Sequence, residues 1–437
     1  MNGQHIFFND ALKLACQTVN ALPFPSGIRM LLVRDIHGRI RLAINTLRAQ
    51  YPPDMIASLT QAFTKLGVFN GGLLFHDDLF NPEALFDDPD IAEVSAADAE
   101  TPLQLLDRQI IGQDWLRPGE SPSVQPSPPR LVFYGLKGGV GRSTALAMLA
   151  YTLARSGKNI LLVDFDLESP GLSGLLLPPE RLAEHGMVDW FIEDAVGQGE
   201  AVLERMISAS PLAEHTQGDI RVAAAAGIEE KFYLAKLSRI YTDVAQNGHV
   251  ERFAPRVQRL VRTLEAQEKP DVVLIDSRAG LHDLAAVSIV SLATSAFLFA
   301  ADTAQTWQGY RLLFSHWQSH PSVLRAIREK LVMVEALFPE SEQAVRASRF
   351  LHHAYTLFSE TIYEQIEPGT DPVPDVFNFD VHDTSAPHYP LRIKWNNRFQ
   401  EFDPLLLPQH ILTEADIAAT FGDFLDGARR LIDGDGA

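Results

Sequence analysis

The sequence predicts an α/β protein: a mostly parallel, doubly wound sheet with helices on both faces, preceded by a small α+β domain. Three observations carry this. From Leu131 onward, short apolar runs of strand length alternate with helix-forming stretches, the order that builds a parallel sheet covered on both sides. One of those runs opens into a glycine-rich loop and another closes on an aspartate, as strand ends that face a ligand do. Residues 117–130, rich in proline and serine, have the composition of a semi-rigid linker and set this part off from residues 1–116. The predicted organisation is therefore an α+β domain over 1–116, a linker over 117–130 and the larger α/β domain over 131–437.

In the first domain, helical periodicity runs from Asn9 to Val19. Strands are expected at Ile28–Val33 and Arg39–Ile44, with Asp35-Ile36-His37-Gly38 as the turn between them. A helix should start after Pro52-Pro53, present Met55, Ile56, Leu59, Ala62, Phe63 and Leu66 on one face, and end at Gly67. Gly71–Phe75 reads as a further strand, and the acidic stretch from Asp87 to Glu100 as a solvated loop. No residue pattern here carries recognisable chemistry.

In the second domain the expected strands are Leu131–Tyr134, Ile160–Val163, Ile220–Ala224, Val272–Ile275, Ala296–Phe299 and Leu331–Val334. Between them, Val202–Met206 and Arg252–Leu264 read as helical, and Arg256, Arg259 and Arg262 give the latter a charged face, expected to be solvated. Near the end, Ile417, Phe421, Phe424, Ala428 and Leu431 recur at helical spacing. The polar side of that helix carries Glu414, Asp416, Asp423 and Asp426, which favours docking on the domain over an anionic lipid surface.

The most informative segment is Lys137-Gly138-Gly139-Val140-Gly141-Arg142-Ser143-Thr144, set between the run Leu131–Tyr134 and a helix-forming stretch from Ala145. Glycines let the backbone approach an anion closely, and the following helix supplies unpaired N–H groups and the positive end of its dipole. This is the order of a P-loop, in which Ser143 would place its hydroxyl on Mg²⁺. A dinucleotide fingerprint is the competing reading, with Asp164 as its acid, but its third glycine falls on Thr144 and leaves Lys137 without a role.

Two further segments appear in the order a P-loop nucleotidase needs. The run Asn159–Val163 closes on Asp164-Phe165-Asp166, and Asp271–Ile275 closes on Asp276, followed by Ser277-Arg278-Ala279-Gly280. Either aspartate taken singly would be an ordinary helix cap. Together with the loop, they form a set suited to phosphoryl transfer, which needs little covalent help and much charge placement.

The loop resembles that of the deviant Walker A family, the ParA and MinD partition and placement ATPases, whose consensus reads K-G-G-x-x-K-[ST]; here Arg142 replaces the second lysine. The resemblance covers 131–437 and implies a P-loop NTPase sheet binding ATP and Mg²⁺. It assigns Gly138 to Thr144 to the phosphates, Ser143 and Asp276 to the metal, and Asp166, with Asp164 beside it, to positioning the attacking water. It also implies that Lys137 reaches the phosphates of a partner across an ATP-bound homodimer. Arg278, where the family often has proline, either touches the γ-phosphate or braces the switch. Arginine keeps the charge of the missing lysine but is planar and bulkier, so Arg142 should spare binding and slow hydrolysis. The adenine-reading asparagine of relatives has no counterpart in Glu335-Ala336-Leu337-Phe338-Pro339.

Composition narrows the class. With 46% hydrophobic and 21% charged residues the chain has the balance of a globular protein, and no apolar stretch is long enough to span a membrane. The first residues lack the order of a secretory signal, and the single cysteine, Cys16, excludes an internal disulfide; both fit a cytoplasmic location. One cysteine also excludes the cluster-binding nitrogenase iron proteins among these relatives. The net charge of −19 argues against riding on DNA. Asp380, His382, Asp383 and His388, like His352-His353, lack the spacing of a known metal site and read as structural histidines.

The functional expectation is a slow, Mg²⁺-dependent ATPase that switches as a homodimer and controls an unidentified protein partner, reached through the N-terminal domain. The arginine variant of the loop resembles members of bacterial multi-gene systems concerned with conflict or antiviral defence. The rival is a non-hydrolysing nucleotide holder acting as a scaffold. A bacterial tyrosine kinase shares these motifs but ends in a tyrosine cluster, whereas the last tyrosine here is Tyr389.

Overall fold

The computed structural model describes residues 5–21, 27–94, 103–119, 127–228, 231–246, 249–365, 376–399, 403, 405 and 413–434. Two compact units, 1–113 and 114–437, divide the chain. The first contains α1 (Phe8–Asn20), β1 (Met30–Arg34), β2 (Ile40–Ile44), α2 (Pro53–Phe63), β3 (Asn70–Phe75), α3 (Pro82–Phe86), β4 (Ile91–Val94) and β5 (Leu103–Asp107). Its sheet runs β3-β2-β1-β5-β4 and is mixed, with β1 antiparallel to β2 and parallel to β5. Ala15, Cys16 and Val19 of α1 and Leu59 and Phe63 of α2 pack with Leu32, Ile40 and Leu42 in one core.

Two expectations change here. The acidic stretch from Asp87 is not all loop: Ile91–Val94 pairs antiparallel with β5, with Ile91, Ala92 and Val94 opposite Leu106, Leu105 and Leu103. Residues 95–100 lie outside the described set. Helix α2 stops at Phe63 and tightens into a 3₁₀ segment, within which Gly67 takes the positive φ (58°) expected of a glycine helix end.

The second unit is built on an eight-stranded sheet. Its elements are β6 (Arg130–Gly135), α4 (Arg142–Arg155), β7 (Ile160–Phe165), α5 (Leu172–Leu176), α6 (Met187–Ala195), α7 (Gly199–Leu203), β8 (Ile207–Ala209) and β9 (Ile220–Ala223). They continue with α8 (Tyr233–Leu237), β10 (Val244–Gln246), β11 (His249–Glu251), α9 (Phe253–Glu268), β12 (Val272–Ser277), α10 (Asp283–Ala286) and β13 (Ser295–Ala300). The unit closes with α11 (Ala304–Gln318), α12 (Pro321–Ile327), β14 (Leu331–Phe338), α13 (Gln343–Thr361), β15 (Leu391–Lys394) and α14 (Glu414–Asp433). The strand order is β15-β14-β13-β6-β12-β7-β9-β8, parallel throughout except for the β8–β9 edge pair. Each expected strand of this domain is present, fully buried in β7, β12 and β13 as strands covered on both faces must be. The chain reverses its direction of progress on either side of β6, so the loop after β6 lies at the switch point where such sheets bind ligands.

Helices α4 and α14 cover one face. Phe424 of α14 meets the rings of Phe297, Phe133 and Phe299 at centroid distances of 5.2, 6.0 and 6.1 Å. Ile417, Phe421 and Ala428 are buried with it, so this amphipathic helix is a layer of the domain. Residues 114–119 also belong to this unit: Trp317 donates its indole N–H to the Trp115 carbonyl (3.2 Å) and Ser291 its hydroxyl to that of Arg117 (3.0 Å). Residues 120–126 of the proline-rich segment lie outside the described set.

Helix α9 corrects a further expectation. Arg256 is fully buried, because α9 carries it inward on the same face as Val257, Leu260 and Leu264. Its guanidinium donates to Asp194 (3.0 Å) and to the carbonyls of Phe191 (2.6 Å) and Thr242 (3.3 Å). The segment Val202–Met206 is helical only to Leu203. Segment 183–188 crosses segment 224–228 backbone to backbone. Met187 N–H donates to the Ala224 carbonyl (2.8 Å) and Ile228 N–H to that of Ala183 (2.9 Å). A Cβ on Gly186 or Gly227 would sit 2.5 or 2.4 Å from the opposing backbone, so only glycine fits either position.

Candidate nucleotide site

Strand β6 ends at Gly135 and the chain turns into α4 through Gly139 and Gly141, both at positive φ (76° and 79°). A β-carbon on either would be strained. A Cβ on Gly138, Gly139 or Gly141 would have no neighbour within 4 Å, so the loop leaves open space above its backbone. The first amides of α4 have no intrahelical partner and carry the positive end of the helix dipole. Arg142 and Ser143 are the first residues of that helix, and Thr144 follows; Val140 is packed against the core below.

The three predicted motifs come together. Asp164 and Asp276 are register partners on neighbouring strands β7 and β12, which puts their carboxylates side by side at the carboxyl edge of the sheet. Ser143 donates its hydroxyl to Asp276 Oδ2 at 2.6 Å. The other oxygen, Oδ1, is buried and has no hydrogen-bond partner, and neither has the adjacent Ser277 hydroxyl. An unsatisfied buried acceptor costs about 1–3 kcal/mol and is normally found only where something else satisfies it. A hydroxyl beside a carboxylate with an unused oxygen is a donor set that fits a hard cation such as Mg²⁺. Burial pushes Asp276 up to about 6, against the opposing influence of the Arg142 charge and the Ser143 hydrogen bond.

Asp164, fully buried, accepts the amides of Asp166 (3.1 Å) and Leu172 (3.3 Å), and so shapes the segment between them into a loop. Its burial, followed by the Asp276 charge, holds it well above the usual carboxylate range. Asp166 is only partly covered; burial raises it while Arg142 pulls it down. Arg142 lies under the loop, 7% exposed, donating to the Ser277 carbonyl and standing 3.5 Å from Asp166. It thus contacts both segments that follow the strand-end aspartates. Lys137 donates to Gln305 of α11 within the same chain. Arg278 pairs with Glu168, bridging the segment that follows Asp164, called here the first switch, and the segment that follows Asp276, the second switch. The second of these is also tied to the loop, by Gly280 N–H to the Gly135 carbonyl at 3.1 Å.

Glu168, Tyr233 and Tyr241 were not legible as site residues, since only the fold brings 233–241 onto the first switch. Two of these histidines have partners within the chain. His388 is buried between Tyr363 Oη (2.5 Å) and the Val381 carbonyl (3.1 Å), and His353 is exposed and bonded to Asp302 (3.0 Å). Among the described residues no group of three or more His, Cys, Asp or Glu could hold a metal, and no helix is long and apolar enough to cross a membrane.

The parallel sheet, its switch-point loop and the facing serine and aspartate define a P-loop nucleotide-binding protein. Residues 131–291 match the family described as the CobQ/CobB/MinD/ParA nucleotide binding domain. No curated protein matches the chain. Among solved structures it is similar to a ParA family ATPase from Chlorobium tepidum TLS, at 11% identity and a TM-score of 0.41, covering 68% of this chain and 98% of that one. It is also similar to MinD of Aquifex aeolicus (15%, TM-score 0.41, 70% and 97%). A third is cobyrinic acid a,c-diamide synthase from Mycobacterium smegmatis with bound ATP analog and magnesium (16%, TM-score 0.40, 69% and 95%).

Proposed function

We propose that the chain is a Mg²⁺-dependent ATPase that works as a nucleotide-switched homodimer and controls a protein partner, in a bacterial defence setting. The observation that carries the Mg²⁺ site is the Ser143–Asp276 pair with its unpartnered buried oxygen, at the mouth of a glycine loop and a helix N-terminus; the homodimer, the partner and the setting rest on the resemblance of the loop alone. Ser143 and Asp276 would hold the metal and the amides of Gly138 to Thr144 the triphosphate, where Mg²⁺ would supply charge neutralisation. Asp166 accepts a hydrogen bond from the attacking water, and Asp164 fixes its backbone. Lys137 leaves Gln305 to meet the phosphates of the second copy. Arg142 holds the Ser277 carbonyl and so keeps the second switch against the loop.

One observation favours a second reading, a non-hydrolysing holder. Arg142 lies beside Asp166, and its charge works against the rise that burial gives that carboxyl, which holds back its strength as an acceptor for a water proton. Phosphate release and mass with ATP, compared across wild type, Lys137→Ala and Asp166→Ala, separate the two. The ATPase reading expects slow release by wild type and a trapped ATP dimer for Asp166→Ala; it fails if that variant turns over at the wild-type rate. The holder reading expects no release by wild type, with thermal stabilisation by nucleotide.

A further inference from the structure

The segment between the first switch and β12 is not a passive insertion. Tyr241 donates its hydroxyl to Glu168 Oε1, and Arg278 pairs with the same oxygen. His282 lies 3.5 Å from that oxygen and packs edge-on against the Tyr241 ring at 4.9 Å. The neighbouring Tyr233 donates to the Leu167 carbonyl at 2.6 Å. Glu168 therefore joins three pieces of chain: the first switch, which carries it; the second switch, through Arg278 and His282; and the insertion, through Tyr241. Its second oxygen is buried without a partner, so the carboxylate is held in place by contacts on one side only.

We propose that Tyr241, Glu168 and Arg278 form a latch between the two switch segments, which makes the insertion a positioning part of the nucleotide site. This rests on the ATPase reading above. Glu168 is two residues beyond Asp166 in a loop whose ends are both bound to Asp164, so a shift of Glu168 is passed to Asp166. Burial, reinforced by the Glu168 hydrogen bond, keeps the Tyr241 phenol protonated and hence a donor. Tyr241, Glu168 and Arg278 act through Asp166 and the second switch; they are positioning residues.

Tyr241→Phe is the decisive variant, because it keeps the ring contacts with Phe253 (5.1 Å) and His282 and removes only the hydroxyl. The expected result is a fall in kcat for phosphate release of about ten-fold with ATP affinity changed less than about two-fold, the pattern of a lost positioning contact. Glu168→Ala should lose more, and Glu168→Gln, which keeps an acceptor oxygen, should recover part of the loss. Wild-type kcat in Tyr241→Phe overturns the latch, as does a change confined to affinity. Amide hydrogen exchange over 166–172 in the nucleotide-free protein gives a readout that does not need turnover. Exchange there should speed up in Tyr241→Phe, and unchanged exchange overturns the latch even if wild type proves unable to hydrolyse ATP. Wild type that releases no phosphate while exchange responds as expected sinks the ATPase reading and leaves the mechanical link standing.

Discussion

The two units differ most in what they bury. Among the described residues of 1–113 no charged side chain is in the interior; Thr18 and the Tyr51 hydroxyl are buried in a core that is otherwise alkyl and aromatic. The second unit buries Arg142, Asp164, Asp189, Asp194, Arg256, Asp276, Glu335 and His388. Burying ions is expensive unless they are paired, so the contrast separates a unit selected for packing from one that also holds charge for a purpose. Within the second unit there is a finer contrast. Arg256 is saturated by Asp194 and backbone carbonyls, a structural arrangement. Arg142 has one carbonyl and a carboxylate at 3.5 Å, beside an aspartate oxygen with no partner. A buried carboxylate oxygen without a partner, at Asp276 and at Glu168, rather than buried charge as such, marks the candidate site.

The largest effect that would test this contrast is on the incompletely paired group. Asp276→Ala should abolish the Mg²⁺-dependent part of ATP binding and lower phosphate release by about 100-fold or more, as loss of a metal ligand does. Titrations with and without Mg²⁺ read it directly. Next comes the saturated arginine: Arg256→Ala should destabilise the protein by about 3 kcal/mol in urea unfolding, since it takes the donor from the interior carbonyls of Phe191, Ile240 and Thr242 while Asp194 keeps Arg259. A loss below about 1 kcal/mol would mean that saturation does not distinguish structural from functional charge.

A third test uses Glu335, where burial outweighs the Arg392 partner and pushes the carboxyl up to about 7 from an ordinary 4.5. Folded protein then holds a proton that the unfolded chain has already released between those values. The stabilising contribution is present below about pH 4.5 and is lost as pH rises towards 7, by at most about 3 kcal/mol. Glu335→Gln should flatten that part of the stability profile. The smallest effect belongs to the first unit. Asn81 caps α3 by accepting the Ala84 amide at 3.2 Å, and Asn81→Ala should cost about 1 kcal/mol while ATP affinity stays at the wild-type value.

Much of the second unit could be read in advance because its strands are continuous apolar runs, Leu131–Tyr134 and Val272–Ile275 among them, bounded by glycine or aspartate. The short ones could not. Ile207–Ala209 is a three-residue edge strand, and Leu391–Lys394 alternates apolar with basic residues outside the βαβ rhythm. Arg256 was misjudged because helical spacing shows that three arginines share a side of α9 but not that two of them meet Asp194, 62 and 65 positions away. The loop, Asp164, Asp166 and Asp276 were legible as local patterns at strand ends. Glu168 and Tyr241, 73 positions apart, were not, since no local pattern encodes a pair that only the completed sheet brings together.

The crossing at Gly186 and Gly227 bears on how the segment that carries Tyr241 can move. With no room for even a methyl group at either point, its root cannot slide or stretch. Slack is therefore absent at the base, and a push on the far end must turn it about a fixed fulcrum. A binder that tilts the arm by a small angle would so be felt at Glu168, through the hydroxyl that Tyr241 donates to it.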